Sequence, residues 1–136
     1  MLRGIEWLVL GALSAGGCFA SEGEPPGALC DRRISYADDV APLLSHYCVS
    51  CHAESVPLRQ RHGAPGDENF DTESGVMQHA EAIALRAGAG FDAINRSMPP
   101  AGFGKQPSDQ ERKLLGSYLA CVTEDAERDG GHLHSH

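Results

Sequence analysis

Two cysteines and a histidine fall within five consecutive positions of the chain, as Cys48, Cys51 and His52 in the segment CVSCH. Side chains three and four residues apart share one face of a helical turn, so both thiols point the same way with the imidazole beside them. Two thiols at this spacing can each add to one vinyl group of a porphyrin, and the imidazole can then bind the iron. The pattern predicts one covalently attached haem c, held by Cys48 and Cys51, with His52 as an axial ligand.

Other uses of the same residues fit the chain less well. A structural zinc site needs a second ligand pair at matched spacing, whereas Cys30 and Cys121 are far apart in the sequence. A thioredoxin-like redox pair belongs to a βαβ unit, and the sequence has no strand pattern. A disulfide between Cys48 and Cys51 stays open in an oxidising compartment, but it gives His52 no role.

A second iron ligand is expected from a methionine that follows the CVSCH segment. Met98 precedes two prolines in SMPP, and proline restricts both its own backbone and that of the residue before it. A thioether on such a stiffened loop can bind the iron opposite His52. Met77 is the other candidate, but its place beside the apolar stripe of a predicted helix favours a core position. Iron held by His52 alone would keep an open face for a gas or peroxide.

The first predicted helix leads directly into the attachment segment. Apolar residues recur at spacings of three and four from Val40 to Tyr47, which is typical of one helical face. Asp39 can cap the start of this helix, and Pro42 then falls in the first turn, where its missing N–H costs little. The helix ends at Cys48, so it sets the direction of the attachment segment.

Two further helices are predicted, which makes the expected fold class all-α with about three main helices. The second helix begins after Asp71 or Thr72 and ends near Gly88, and it carries one apolar stripe. The third begins at a capping box in which Ser108 and Glu111 can bond each other's backbone N–H groups. An apolar face follows that box.

The N-terminal residues predict export from the cytoplasm. Residues 1–17 have a basic start and a short apolar run, which is typical of a lipoprotein-type signal peptide and too short to span a bilayer. Small residues precede Cys18, so cleavage there would leave Cys18 as a lipidated N-terminus on a tether of residues 18–33. Cleavage after Ala20 is the alternative. Both place the protein on the periplasmic side.

Composition adds two constraints. The net charge of −8 argues against nucleic acid as a partner, because binding phosphates needs a surplus of Lys and Arg. Aromatic residues make up 6% of the chain, so a haem would supply apolar bulk that the side chains lack.

Residues 34–124 form the expected domain, and residues 125–136 are expected to form a disordered tail. Three alternating histidines in the tail could chelate a metal ion or have no role: His132, His134 and His136.

The order of these motifs resembles the small mono-haem c-type cytochromes. DDVAPLLSHYCVSCH, a central helix, SMPP and a capped last helix carry the resemblance, which covers residues 34–123. It implies the cytochrome c fold, with the first and last helices packed across each other beside one covalent haem. It further implies an electron carrier rather than an enzyme, whose iron cycles between Fe(II) and Fe(III) and whose partners are redox proteins of the bacterial cell envelope. The alternative is a haem peroxidase or gas sensor with an open sixth position.

The resemblance also bears on residues around the haem. If the first and last helices cross, Cys30 and Cys121 come close enough for a disulfide, although two separate buried thiols are the other reading. The Gly-Pro pair that usually follows the family's attachment segment is missing here. The backbone carbonyl of Pro57 is therefore the group expected to orient His52. The candidate partners of the haem propionates are cationic: Arg59, Arg61, Arg86, Arg96 and Lys105.

Overall fold

The computed structural model describes residues 29–90 and 94–131, and these residues form helices joined by irregular loops. Within residues 29–90 and 94–131 there is no β-strand, and the one β-type contact is an isolated antiparallel bridge from Ala89 to Ile94. The predicted all-α class is therefore confirmed for this part of the chain. None of its helices is long and apolar enough to cross a membrane. The helices are a π-helical turn at Tyr36–Val40, α1 at Ala41–Tyr47, a 3-10 turn at Leu58–Gln60, α2 at Glu73–Gln78, α3 at Ala80–Arg86 and α4 at Asp109–Gly131.

The first helix begins earlier than the sequence predicted. The cap is Ser35 rather than Asp39, since the Ser35 hydroxyl accepts the Asp38 N–H at 3.0 Å. Asp39 instead reaches back, and its carboxylate accepts the Ser35 N–H at 2.8 Å. The two bonds together satisfy N–H groups that a helix start leaves without partners. A π-helical turn thus precedes α1, which runs into Cys48 as predicted.

The predicted second helix is present but divided. Thr72 caps α2 by accepting the Gly75 N–H at 3.1 Å, which confirms the predicted start. His79 then interrupts the helix, with φ −114° and ψ 19°, before α3 begins. The His79 ring donates from Nε2 to the Asp67 carbonyl at 3.0 Å, so the loop before α2 holds the residue at the break. α3 ends at Arg86, close to the predicted boundary at Gly88.

The capping box at the start of α4 is confirmed in detail. Glu111 accepts the Ser108 N–H at 2.7 Å, and the Ser108 hydroxyl accepts the Glu111 N–H at 3.2 Å. The prediction of a disordered tail from residue 125 was wrong for residues 125–131, which continue α4. Asp125 accepts two bonds from Arg32, at 2.8 and 3.0 Å, and pairs with Arg128 one turn later. A contact from the start of the domain therefore supports this last part of the helix.

The core lies where α1, α3 and α4 meet. α3 and α4 approach closely, since a Cβ on Gly88 would lie 3.3 Å from the Gly116 Cα. Among the described residues, two aromatic side chains belong to the buried cluster, Phe70 and Tyr118. Tyr118 donates from its hydroxyl to Glu73 at 3.0 Å. One buried apolar cluster contains side chains from both the first and the last helix, whose contact was expected. Its members are Val40, Leu43, Leu44, Phe70, Val76, Ala80, Ile83, Ala87, Leu115, Tyr118 and Leu119.

Cys30 and Cys121 are joined by a disulfide with an S–S distance of 2.07 Å and a Cα–Cα distance of 4.5 Å. The bond fastens the segment before the first helix to α4, so the alternative of two separate thiols does not hold. The predicted signal peptide, the lipidation site Cys18, and His132, His134 and His136 lie outside the described residues.

Candidate functional site

A cavity of about 300 Å³ opens between the CVSCH segment, α3 and the loop that carries Met98. Cys48, Cys51, His52 and Met98 all line it. The loops bring these residues together from two distant parts of the sequence. We call this space the haem cavity, after the cofactor that the sequence predicts.

The attachment segment extends α1 by a tight turn. The Cys48 N–H donates to the Leu44 carbonyl at 2.8 Å, so Cys48 is still held by the helix. Its own carbonyl then accepts the N–H groups of Cys51 and His52, at 3.1 and 2.9 Å. These bonds put both thiols and the imidazole on one turn, as the spacing predicted. Both cysteines are free and half-buried.

Burial raises the pKa of the Cys48 thiol to about 11. The thiolate is the nucleophilic form of cysteine, so Cys48 is held in its unreactive protonated form at neutral pH. A catalytic redox cysteine instead requires a lowered pKa.

His52 is buried and held in one orientation from two sides. Its ring stacks on Phe70, with centroids 4.4 Å apart and planes 11° from parallel. Its Nδ1 lies 3.1 Å from the Glu68 carbonyl oxygen and 3.8 Å from the Glu68 carboxylate. A carbonyl oxygen only accepts, so Nδ1 carries the proton and Nε2 keeps its lone pair for a metal.

The expectation for Pro57 was wrong, because the orienting carbonyl belongs to Glu68. The backbone explains the difference: the Phe70 N–H donates to the His52 carbonyl at 2.7 Å, which brings the end of the loop, with Glu68, beside the imidazole. Burial also lowers the pKa of His52, and the bond to Glu68 opposes that shift. A neutral imidazole with a fixed tautomer is the form that ligates iron.

Arg61 organises the loop on the histidine side of the haem cavity. It is 2% exposed, and one of its guanidinium nitrogens donates to the Glu68 carbonyl at 2.7 Å, the same oxygen that orients His52. Arg61 also lines the cavity, and its Nε is buried without a hydrogen-bond partner. The other guanidinium nitrogen donates to the Ala53 carbonyl at 3.2 Å, the Gly66 carbonyl at 3.3 Å and the Asn69 side-chain oxygen at 2.9 Å.

Met98 is half-buried and lines the haem cavity. Its N–H donates to the Arg86 carbonyl at 2.8 Å, which ties the loop to the end of α3. The Met98–Pro99 peptide bond is cis, and Pro99 and Pro100 also line the cavity. Met77 was expected either to fill the core or to bind the iron. The structure supports neither role, since Met77 is 53% exposed and is not among the lining residues.

The candidate propionate partners separate into two groups. Arg61, Arg86 and Lys105 line the haem cavity. Arg96 instead pairs with Asp109 at the start of α4, and Arg59 is exposed on the short 3-10 turn. The first group can meet a carboxylate that enters the cavity, and Arg61 has a buried N–H that lacks an acceptor.

These residues fit a c-type haem. The cavity offers two thiols, an imidazole nitrogen with a free lone pair, a thioether and an unpaired buried guanidinium N–H. Apolar side chains of Phe70, Ile83 and Ala87 complete its wall. Within residues 29–90 and 94–131, the cavity included, no group of three or more His, Cys, Asp or Glu residues is arranged to hold a metal ion.

Comparison with protein families, with curated proteins and with solved structures finds no match for this chain.

Proposed function

We propose that this chain is a mono-haem c-type cytochrome with the cytochrome c fold, and that it carries electrons rather than catalysing a reaction. One observation carries the proposal: Cys48, Cys51, His52 and Met98, chosen from their residue types and spacing, all line one cavity. Two thiols, an imidazole and a thioether are the groups that attach and ligate haem c.

The attachment chemistry follows from the thiols. Cys48 and Cys51 would hold the haem: each S–H would add across the C=C of one vinyl group, with sulfur bonding to one carbon and hydrogen to the other. No group leaves in this addition. When bound, the haem supplies a one-electron couple between Fe(II) and Fe(III).

The protein's part in electron transfer is to hold both axial ligands still. The Glu68 carbonyl and the Phe70 ring fix His52. The Arg86 carbonyl of α3 and the Arg112 side chain of α4 fix the Met98 loop. Ligands that stay in place in both oxidation states keep the structural change per electron small. A His and Met pair also raises the reduction potential of the haem iron.

We place the carrier on the periplasmic side of the bacterial envelope, anchored by lipid on Cys18. The sequence of residues 1–18 supports export and lipidation. Its partners would be redox proteins of the envelope, reached across the mouth of the cavity. Phe103 lines that cavity and is 48% exposed, so an apolar contact surface is available beside it.

The test is an absorption spectrum of the protein produced with haem-attachment machinery. The oxidised wild type should show the weak near-infrared band of thioether-to-iron ligation. Met98→Ala should abolish that band and lower the potential, because the open position loses its sulfur donor. Met77→Ala is the matched control and should leave both unchanged. A band that survives Met98→Ala would refute this ligand assignment.

The rival function is a haem peroxidase or gas sensor with an open sixth position. It is favoured by His46 and His62, which also line the haem cavity and could serve as polar groups near a bound molecule. This rival predicts a high-spin ferric spectrum that shifts on adding cyanide. The electron carrier predicts a low-spin spectrum with little response to cyanide.

A further inference from the structure

One buried cation is not explained by the haem cavity itself. Arg112 lies in α4 and is 1% exposed, at spacings of three and seven residues from the buried Leu115 and Leu119. This is a position at which an apolar side chain would be expected. Burying a guanidinium is unfavourable unless hydrogen bonds compensate the loss of water, so its bonding partners indicate its purpose.

The partners of Arg112 are carbonyl groups around the Met98 loop. Its Nη1 donates to the Met98 carbonyl at 2.8 Å, the Asn95 carbonyl at 2.9 Å and the Ala87 carbonyl at 2.8 Å. Its Nη2 donates to the Gln106 side-chain oxygen at 3.2 Å. Within residues 29–90 and 94–131, no carboxylate is recorded as an ion-pair partner of Arg112. The charge is therefore directed at backbone oxygens instead.

These bonds complete a set that fastens the loop to the end of α3. The last carbonyls of a helix have no partner inside that helix. Here Asn95 donates from its side chain to Ala84 at 2.7 Å, and Met98 donates from its N–H to Arg86 at 2.8 Å. Arg112 joins the Ala87 carbonyl, at the end of α3, to the carbonyl of Met98.

We propose that Arg112 is a positioning residue for Met98, holding the loop so that its sulfur stays on the iron. This inference rests on the proposed function. The Met98 backbone is held on both sides, by the Arg86 carbonyl at its N–H and by Arg112 at its carbonyl. The planar guanidinium of arginine reaches several acceptors at once. The ammonium group of lysine has a different donor geometry and cannot reproduce this set of bonds.

The experiment compares the haem-loaded wild type with Arg112→Met and Arg112→Lys. Imidazole is the probe, since it competes with the thioether for ferric iron. The loss of one or more bonds to the loop should make imidazole bind about tenfold more tightly to both variants. Their near-infrared band should be weaker, and the Met98 amide should exchange its hydrogen faster than in the wild type.

Two further variants separate positioning from general stability. Leu119→Ala removes a buried side chain of the same helix that makes no bond to the Met98 loop. It should lower the unfolding temperature but leave the band and the imidazole affinity of the folded protein unchanged. Gln106→Ala removes an acceptor of Arg112 at the surface, together with a side-chain donor to the Pro100 carbonyl of the same loop. It keeps the test decisive if the Arg112 variants do not fold, and it should shift imidazole affinity in the same direction by a smaller factor.

The outcomes separate the role of Arg112 from the proposed cytochrome function on which it rests. A wild type that lacks a thioether band refutes Met98 ligation and this inference with it. A normal wild-type band and unchanged imidazole affinity in the Arg112 variants overturn the inference alone. If Leu119→Ala loosens the ligand as much as Arg112→Lys, the effect reflects general stability and the inference is again overturned.

Discussion

Removal of the Cys30–Cys121 disulfide should lower stability by an amount that can be worked out from its position. The perturbation is the double variant Cys30→Ser/Cys121→Ser, in which serine replaces each thiol at nearly the same volume. The bond spans 91 residues of sequence, which covers nearly the whole domain. Without it, the unfolded chain regains the freedom of that loop, while the folded state keeps its other contacts.

The expected cost is large for a domain of this size. In the chain-entropy treatment, a closed loop of 91 residues corresponds to about 4.6 kcal/mol at 25 °C. For a domain of about 100 residues, that lowers the unfolding temperature by about 20 °C. Residual structure in the unfolded chain reduces the effect, so this figure is an upper estimate.

The assay is denaturant unfolding of the haem-loaded protein, followed by circular dichroism. Serine variants are preferable to a chemical reductant, which would also reduce the iron. Arg32→Ala is the matched control, since it breaks the ion pair with Asp125 beside the disulfide and leaves the bond intact. Because both partners of that pair are exposed, its loss should have little effect.

The reasoning fails if the double serine variant unfolds at the wild-type denaturant concentration with the same slope. That result would mean that the bond does not constrain the unfolded chain. A loss equally large in Arg32→Ala would also contradict it, since the surface pair and not the disulfide would then fasten the N-terminal segment to α4.

Two more predictions concern the capping box and the cofactor. Bonds from the Ser108 N–H and hydroxyl lower the pKa of Glu111 in the folded protein. The Glu111 carboxylate therefore stabilises the fold above about pH 4.5, the ordinary pKa of the group. This contribution is lost as the pH falls through the lower pKa of the folded state. The stability difference between wild type and Glu111→Gln should therefore vanish in acid, whereas Glu127→Gln, at an exposed position of α4, should show little difference at any pH. Cys48→Ser/Cys51→Ser produced without haem should be largely unfolded, because the emptied cavity exposes its apolar wall; a cooperative thermal transition by calorimetry would contradict this.

The parts of the site that depend on local sequence could be predicted. The turn that carries Cys48 and His52 follows from helical spacing, and the α4 start follows from a capping box four residues long. Met98 could be chosen over Met77 from its two neighbouring prolines. Each of these features is decided by residues within one or two turns of each other, where steric and hydrogen-bonding rules are strong.

The supporting contacts could not be predicted, since each joins residues far apart in the chain. The carbonyl that orients His52 comes from Glu68, across a loop whose path depends on the burial of Arg61. Arginine is usually exposed, so the burial of Arg61 and Arg112 had no sequence signal other than the apolar stripe on which Arg112 lies. The extension of α4 to residue 131 is likewise accompanied by a contact with a distant residue, Arg32.

The most direct test of the account is the mass of the intact protein, purified after expression with haem-attachment machinery. The account predicts the mass of the polypeptide plus one haem, retained under denaturing conditions and lost in Cys48→Ala/Cys51→Ala. A wild type with the mass of the bare polypeptide would contradict the central claim.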